Sequence, residues 1–234
     1  MKQQKLRLGL FGFGCVGQGL YRILHETRGL ETEIRKICIK HPEKARTVPA
    51  HYFTTSGEEL LRDPEIDVIV ELIDDSERAW EIVKDALRHG KHVVTANKRM
   101  VATRLEELRA LQERFGRAVL YEGAVCGSIP IIRNLEEYYD NDPINRIEGI
   151  VNGSTNYILT KVAEEGKTYD QALLEAQANG FAESDPSLDV EGFDPSFKLS
   201  ILLTHAFGVR VEPGRIIRIG IDRLTKTDLE YARE

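Results

Sequence analysis

Several things are scarce in this chain, and each scarcity narrows what it can be. Among 234 residues there are three cysteines and one tryptophan. Cys15, Cys38 and Cys126 stand far apart, without metal-ligand spacing. That argues against a disulfide framework and suits free thiols in a reducing, cytoplasmic compartment. No apolar run reaches the roughly 18 residues that a membrane span needs. Basic residues are scattered and the net charge is −6, so composition offers no support for a nucleic-acid partner. No repeat or low-complexity tract is visible. The opening MKQQKLRLGLFGFGCVGQGL has the basic head of a signal peptide, but glycines break its apolar run, and it reads better as a strand and a turn.

What is present is an ordinary globular composition, 41% apolar, at a length that suits two modest domains. Apolar runs near 6–12, 34–39, 67–72, 92–95 and 118–121 predict strands. Between them, helical spacing is expected over 15–26, from Ser56, and over 79–89 and 105–115. Strands alternating with helices of about 10–15 residues predict an α/β fold, a doubly wound parallel sheet of Rossmann type. The rhythm changes near Gly123. A strand is expected over 144–151, with helices over 155–165, 168–179 and 194–207 and another from Thr227. We therefore expect residues 1–125 to form a dinucleotide-binding domain and 126–234 an α+β substrate-binding and dimerisation domain. Glu234 falls inside the last expected helix, so a fragment of a longer polypeptide is expected.

The segment Gly12-Phe13-Gly14-Cys15-Val16-Gly17 fits G-x-G-x-x-G. The pattern alone is weak, but here it follows an expected strand and opens a helix. The first glycine permits a tight turn, the second admits a pyrophosphate, and the third lets helix pack on strand. Helix-start amides then face the phosphates. After the second strand the chain reads Ile39-Lys40-His41, with Lys44 and Arg46 following. With no acid at the strand tip to bond a ribose 2′-hydroxyl, the residues favour NADP over NAD. A solvated basic loop is the plainer alternative. The stretch VVTANK (93–98) leaves the fourth strand at its carboxyl end, where ligands gather in open α/β sheets. Lysine is disfavoured at the positive start of a helix, which marks Lys98 as a functional candidate, with Thr95 among the cofactor contacts.

The segment GFAESDPSLDVEGFDPSFK (180–198) sets Glu183, Asp185, Asp189, Glu191 and Asp194 ahead of a single base, Lys198. Asp194 and Lys198 stand four apart and share a helix face. Carboxylates around an amine favour its charged form, and an ammonium so held can protonate the alkoxide formed when an aldehyde is reduced. A solvated acidic loop remains the alternative on charge alone.

Gly12–Gly17, VVTANK, YEGAVCGSIPII (121–132), GIVNGSTNYIL (149–159), GFAESDPSLDVEGFDPSFK and HAFG (205–208) together resemble homoserine dehydrogenase nearly end to end. The resemblance implies reversible NAD(P)-linked interconversion of L-homoserine and L-aspartate 4-semialdehyde in threonine and methionine biosynthesis. It implies that Lys198 is the proton donor and that Glu183 binds the substrate's amino group. Asp189 and Asp194 would support substrate and lysine, and Lys98 would lie beside cofactor and substrate. It further implies a homodimer and a monovalent cation, usually sodium, on main-chain carbonyls at Glu122, Val125, Gly127 and Ile129. From the residues alone, that stretch reads as a turn entering a helix near Pro130.

Two departures from the family pattern stand out. Asp74-Asp75 replace glycines after the third expected strand, where carboxylates would oppose a pyrophosphate. Family segments that complete the second domain have no counterpart before Glu234. Two rival readings follow from the residues. One is a thiol aldehyde dehydrogenase with Cys126 as nucleophile and His205 or His92 as base. The other is a chain that binds nucleotide and dimerises without turnover.

Overall fold

The computed structural model describes residues 5–27, 29, 31–139 and 143–232. The chain divides into two compact units, Met1–Ile129 and Pro130–Glu234.

The first unit is built on β1 (Leu6–Phe11), α1 (Cys15–Glu26), β2 (Thr32–Cys38), β3 (Phe53–Thr54), α2 (Gly57–Leu61), β4 (Val68–Glu71), α3 (Ser76–Arg88), β5 (His92–Thr95), α4 (Lys98–Phe115) and β6 (Val119–Leu120). The strands form one sheet in the order β3-β2-β1-β4-β5-β6, parallel at every pairing. The doubly wound sheet is the one its sequence predicts, with the two-residue β3 added at one edge. Both faces are covered, which is why the strands read as unbroken apolar runs. On one face Leu8, Leu10, Ile34, Ile37, Val68 and Val70 pack against Leu20, Tyr21 and Leu24 of α1. On the other, Gly9 lies under Ile66, Ile69 and the α2 side chain Leu60, close enough that a Cβ would meet them at 3.0–3.3 Å. Leu10, Ile37, Leu60 and Ile69 are fully buried, each worth about 1.5–3 kcal/mol of transfer free energy.

Two helices begin earlier than their apolar spacing suggests, because side chains cap them. Asp75 Oδ1 accepts the amide hydrogens of Glu77 and Arg78, both at 3.0 Å, and starts α3 at Ser76. Asn97 Oδ1 accepts from the Met100 amide at 3.0 Å and starts α4 at Lys98. A break in helical geometry at Arg104 lies where the apolar spacing alone would have begun the helix.

The second unit contains α5 (Ile131–Arg133), which continues into a π turn over Asn134–Tyr138, then α6 (Gly153–Glu165), α7 (Tyr169–Ala178), α8 (Ser187–Val190), α9 (Phe193–Phe207) and α10 (Lys226–Tyr231). Thr168 and Gln171 form the expected capping box of α7. Gly180 follows that helix with φ +75°, a conformation that costs a side-chain-bearing residue about 1–2 kcal/mol. Ile158, Ala172, Ala176, Ala182 and Val190 form the buried cluster that joins α6, α7 and α8. The strand expected over 144–151 is a correction: residues 143–150 take no regular structure, and Ile150 is 77% exposed. A strand is stabilised by ladder partners, and among the described residues this segment has none. The expected helix at the C-terminal end forms as α10, while 233 and 234 lie outside the described residues.

Candidate functional site

In the first unit the site features gather at the carboxyl ends of β1, β4 and β5. The strand order departs in opposite directions from β1, to β2 and to β4, and such a switch point opens a crevice for ligands. Gly12 leaves β1 with φ +97°, and a Cβ there would stand 2.6 Å from the Leu72 carbonyl oxygen. Its amide donates to Cys38 O at 3.0 Å. A Cβ on Gly17 would meet Gly12 O at 2.8 Å, whereas one on Gly14 meets nothing within 4 Å. Gly12 and Gly17 therefore satisfy packing demands, and Gly14 leaves open space over the start of α1. Cys15 and Val16, the first residues of that helix, are exposed beside it. This cradle, with helix-start amides turned to open space, fits a dinucleotide pyrophosphate.

Phe13 packs edge-on against Phe53 and Tyr21, with ring centroids 5.3 and 5.9 Å apart. The Arg46 guanidinium lies 5.2 Å from the Phe53 ring centroid and donates to the carbonyls of Lys44 and His41, both at 2.7 Å. The basic loop after β2 is thus ordered by arginine, and Lys40 is exposed within it.

Glu71 and Thr95, both buried, tie the tips of β4 and β5 together. The Thr95 hydroxyl donates to Glu71 Oε2 at 2.5 Å and accepts the Asn97 amide at 3.0 Å. Glu71 Oε1 accepts the Ile73 amide at 2.7 Å, and Asn97 Nδ2 donates to Ile73 O at 3.0 Å. Burial pushes the Glu71 carboxyl up from its ordinary value, partly countered by the Thr95 hydroxyl and the Ile73 amide. The network fixes the turn that delivers half-buried Lys98 to the start of α4. Sequence reasoning missed Glu71. A lone acid closing an apolar strand was the available signal.

Asp74-Asp75 also reads differently in three dimensions. Asp75 is committed to capping α3, so its carboxylate serves helix amides.

Glu122, Val125, Gly127 and Ile129 fall on one tightly curled segment. A 3-10 turn spans Glu122–Ala124, the Ile129 amide donates to Cys126 O at 3.1 Å, and Gly127 takes φ +60°. Carbonyl oxygen is the ligand type that suits a hard cation. Among the described residues no three His, Cys, Asp or Glu side chains cluster to hold a metal.

In the second unit, α9 opens at Gly192, φ +80°. Lys198 Nζ donates to Asp194 Oδ2 at 2.7 Å, one turn back, and to Val151 O at 2.6 Å. The Asp194 side chain is 2% exposed and that of Lys198 13%, so this pair is held away from bulk water. Asn152 Nδ2 donates to the same Asp194 Oδ2 at 2.9 Å and to Asp189 Oδ1 at 2.7 Å. Asp189, Asp194 and Lys198 are therefore brought into one network through Asn152, a residue that sequence reasoning passed over. Glu183 is exposed, and its main-chain carbonyl accepts from Gln177 Nε2 at 2.9 Å. Asp185 accepts the Ser187 amide at 3.1 Å, and hydrogen bonding to the Ser187 side chain and then to its amide holds the Asp185 carboxyl below the usual range.

Comparison with known proteins agrees across the chain. A family model described as homoserine dehydrogenase matches residues 130–234, and one described as homoserine dehydrogenase, NAD binding domain, matches 12–122. The chain is 41% identical to a homoserine dehydrogenase from Lactococcus lactis over 98% of its own length and 56% of the relative's. It is 39% identical to one from Bacillus subtilis, over 97% and 55%. The chain thus spans about half the length of these curated relatives. A crystal structure of a homoserine dehydrogenase from Thiobacillus denitrificans superposes with TM-score 0.90 at 39% identity, covering 98% of this chain and 55% of that one. A hyperthermophilic archaeal homoserine dehydrogenase mutant in complex with NADPH superposes with TM-score 0.82 at 30% identity, covering 97% and 76%.

Proposed function

The chain belongs to the homoserine dehydrogenase family, and from that premise we propose that it interconverts L-homoserine and L-aspartate 4-semialdehyde with a nicotinamide nucleotide, a step toward threonine and methionine. The observation that carries this reading is the Lys198 ammonium, held at 2.7 Å by a buried carboxylate one helical turn away.

When bound, the nicotinamide supplies the hydride for aldehyde reduction and accepts it in the reverse direction. As the aldehyde carbon is reduced its oxygen becomes an alkoxide, and Lys198 Nζ donates the proton that neutralises it. In homoserine oxidation the same nitrogen takes the hydroxyl proton. Asp194 holds the ammonium in place. Glu183 binds the amino group of the substrate and Asp189 supports the substrate, which explains a surplus of acids in an enzyme for an amino acid. Lys98 serves the cofactor and the substrate from the start of α4.

Gly12 to Gly17 receive the pyrophosphate, with Phe13, Cys15 and Val16 lining the turn, while Thr95, buried and bonded to Glu71 and Asn97, braces the tips of β4 and β5. Lys40 and the ordered Arg46 favour the extra phosphate of NADP over NAD, and the NADPH-bound archaeal relative supports that preference. Main-chain carbonyls of Glu122, Val125, Gly127 and Ile129 hold a sodium-like cation. The protein works in the cytoplasm as a homodimer, without nucleic acid. Among the described residues no helix is long and apolar enough to cross a membrane.

The deciding assay is homoserine-dependent NADP reduction by this chain. Turnover is expected. Nucleotide binding without turnover would replace this reading with that of a binding fragment.

A further inference from the structure

We propose that Asn152 is a positioning residue, whose single amide nitrogen holds Asp189 and Asp194 together and so sets the carboxylate to which Lys198 is anchored. The inference rests on Lys198 as proton donor, and it adds a residue whose own contacts are with the acids.

Asn152 is 7% exposed and every polar contact it makes is directional. Its Oδ1 accepts from the Thr155 amide and from the Thr155 hydroxyl, both at 2.8 Å. A main-chain amide only donates, so that oxygen is identified by its partner. The nitrogen must then face the carboxylates, which only accept when ionised. It has two hydrogens and gives one to each: Asp189 Oδ1 at 2.7 Å and Asp194 Oδ2 at 2.9 Å. The second oxygen is the one that Lys198 Nζ meets at 2.7 Å. Val151, the residue before Asn152, supplies the carbonyl that receives the other Lys198 hydrogen bond at 2.6 Å. The short segment 151–152 therefore touches all three groups, acting as acceptor for the ammonium and donor for both acids.

The chemistry explains the choice of amide. Two carboxylates brought close repel, and an uncharged group that donates to both offsets that repulsion without adding charge. A lysine there would compete with Lys198 for the acids, and an aspartate would add to the repulsion. Only a neutral side chain with two donor hydrogens and a separate acceptor can tie both acids while capping α6.

The plainer role of Asn152 is that cap, and substitution separates the two. Serine and aspartate both cap helices well, and neither supplies the amide. In Asn152→Ser, kcat for homoserine oxidation is expected to fall about tenfold or more as the ammonium loses its placement. The homoserine KM should move less than kcat, and the melting temperature should stay within about 3 °C because the cap is kept. In Asn152→Asp the extra negative charge should also move the acidic limb of the homoserine-oxidation pH profile, where Lys198 must be unprotonated to act as base, to higher pH. Parent-like kcat in Asn152→Ser would overturn the proposal. A second measurement needs no turnover: the two side-chain amide protons of Asn152, followed by NMR in the parent and in Asp189→Ala. One proton should move upfield while its partner, still bonded to Asp194, stays. Two unmoved protons would overturn the shared-amide arrangement. If the parent chain fails to oxidise homoserine, the activity reading falls, and the resonances still decide whether Asn152 joins the acids.

Discussion

Thr95 and Glu71 are register partners on β5 and β4, and the threonine hydroxyl closes on the buried carboxylate at 2.5 Å. Burial holds the Glu71 carboxyl above its ordinary value of 4.5. For an acid raised in the folded state, the stability contribution is present below the unfolded value and is lost as pH rises through the folded one. Glu71→Gln is neutral at every pH, so its melting temperature relative to the parent should rise as pH climbs from about 4.5 toward neutrality. A melting-temperature difference flat across that range would mean that burial does not govern this carboxyl.

Two glycines of the turn, Gly12 and Gly14, should respond differently to a methyl group. Gly14→Ala enters open space, so folding stability should change by about 0.5 kcal/mol or less. NADPH affinity, read by nucleotide fluorescence, should fall steeply because the methyl group occupies the approach of the pyrophosphate. Gly12→Ala must meet the Leu72 carbonyl and carry a positive φ, so it should destabilise the fold by about 1–3 kcal/mol.

Lys198→Ala should reduce turnover by about 10²–10⁴, the usual worth of general acid–base catalysis, while NADPH binding stays near parent. It also leaves the Asp194 carboxylate buried without its ammonium, so a lower melting temperature is expected. Near-normal kcat would end the proton-donor assignment. Cys126→Ser run alongside it should keep turnover, since a serine would silence only a thiol mechanism.

Glu183 is exposed and outside the Asn152 network. Glu183→Ala should therefore leave stability within about 0.5 kcal/mol and raise the homoserine KM more than the cofactor KM. An unchanged homoserine KM would count against its role in binding the substrate ammonium.

The features legible in the chain were those set by neighbours in sequence. The turn at Gly12–Gly17 shows itself because tight turning and close approach demand glycine at fixed offsets. The Asp194–Lys198 pair shows itself because four residues make one helical turn, and the capping box of α7 because cap and partner are three apart. The parallel sheet followed from apolar runs alternating with helices, since strands buried on both faces need no polar alternation.

What only the tertiary structure decided were relationships between distant segments. Asn152 reaches across 37 and 42 positions to two acids, and Glu71 meets Thr95 across 24. No local pattern announces such a pairing, because a hydrogen bond between remote residues leaves no period in the sequence. The strand expected over 144–151 failed for the related reason that apolar spacing describes one strand, whereas a strand is stabilised by its partner. Sequence thus determined most of the secondary elements and the residue types available for chemistry. Folding decided which acids the lysine and the amide would share, because that depends on chain segments meeting in space.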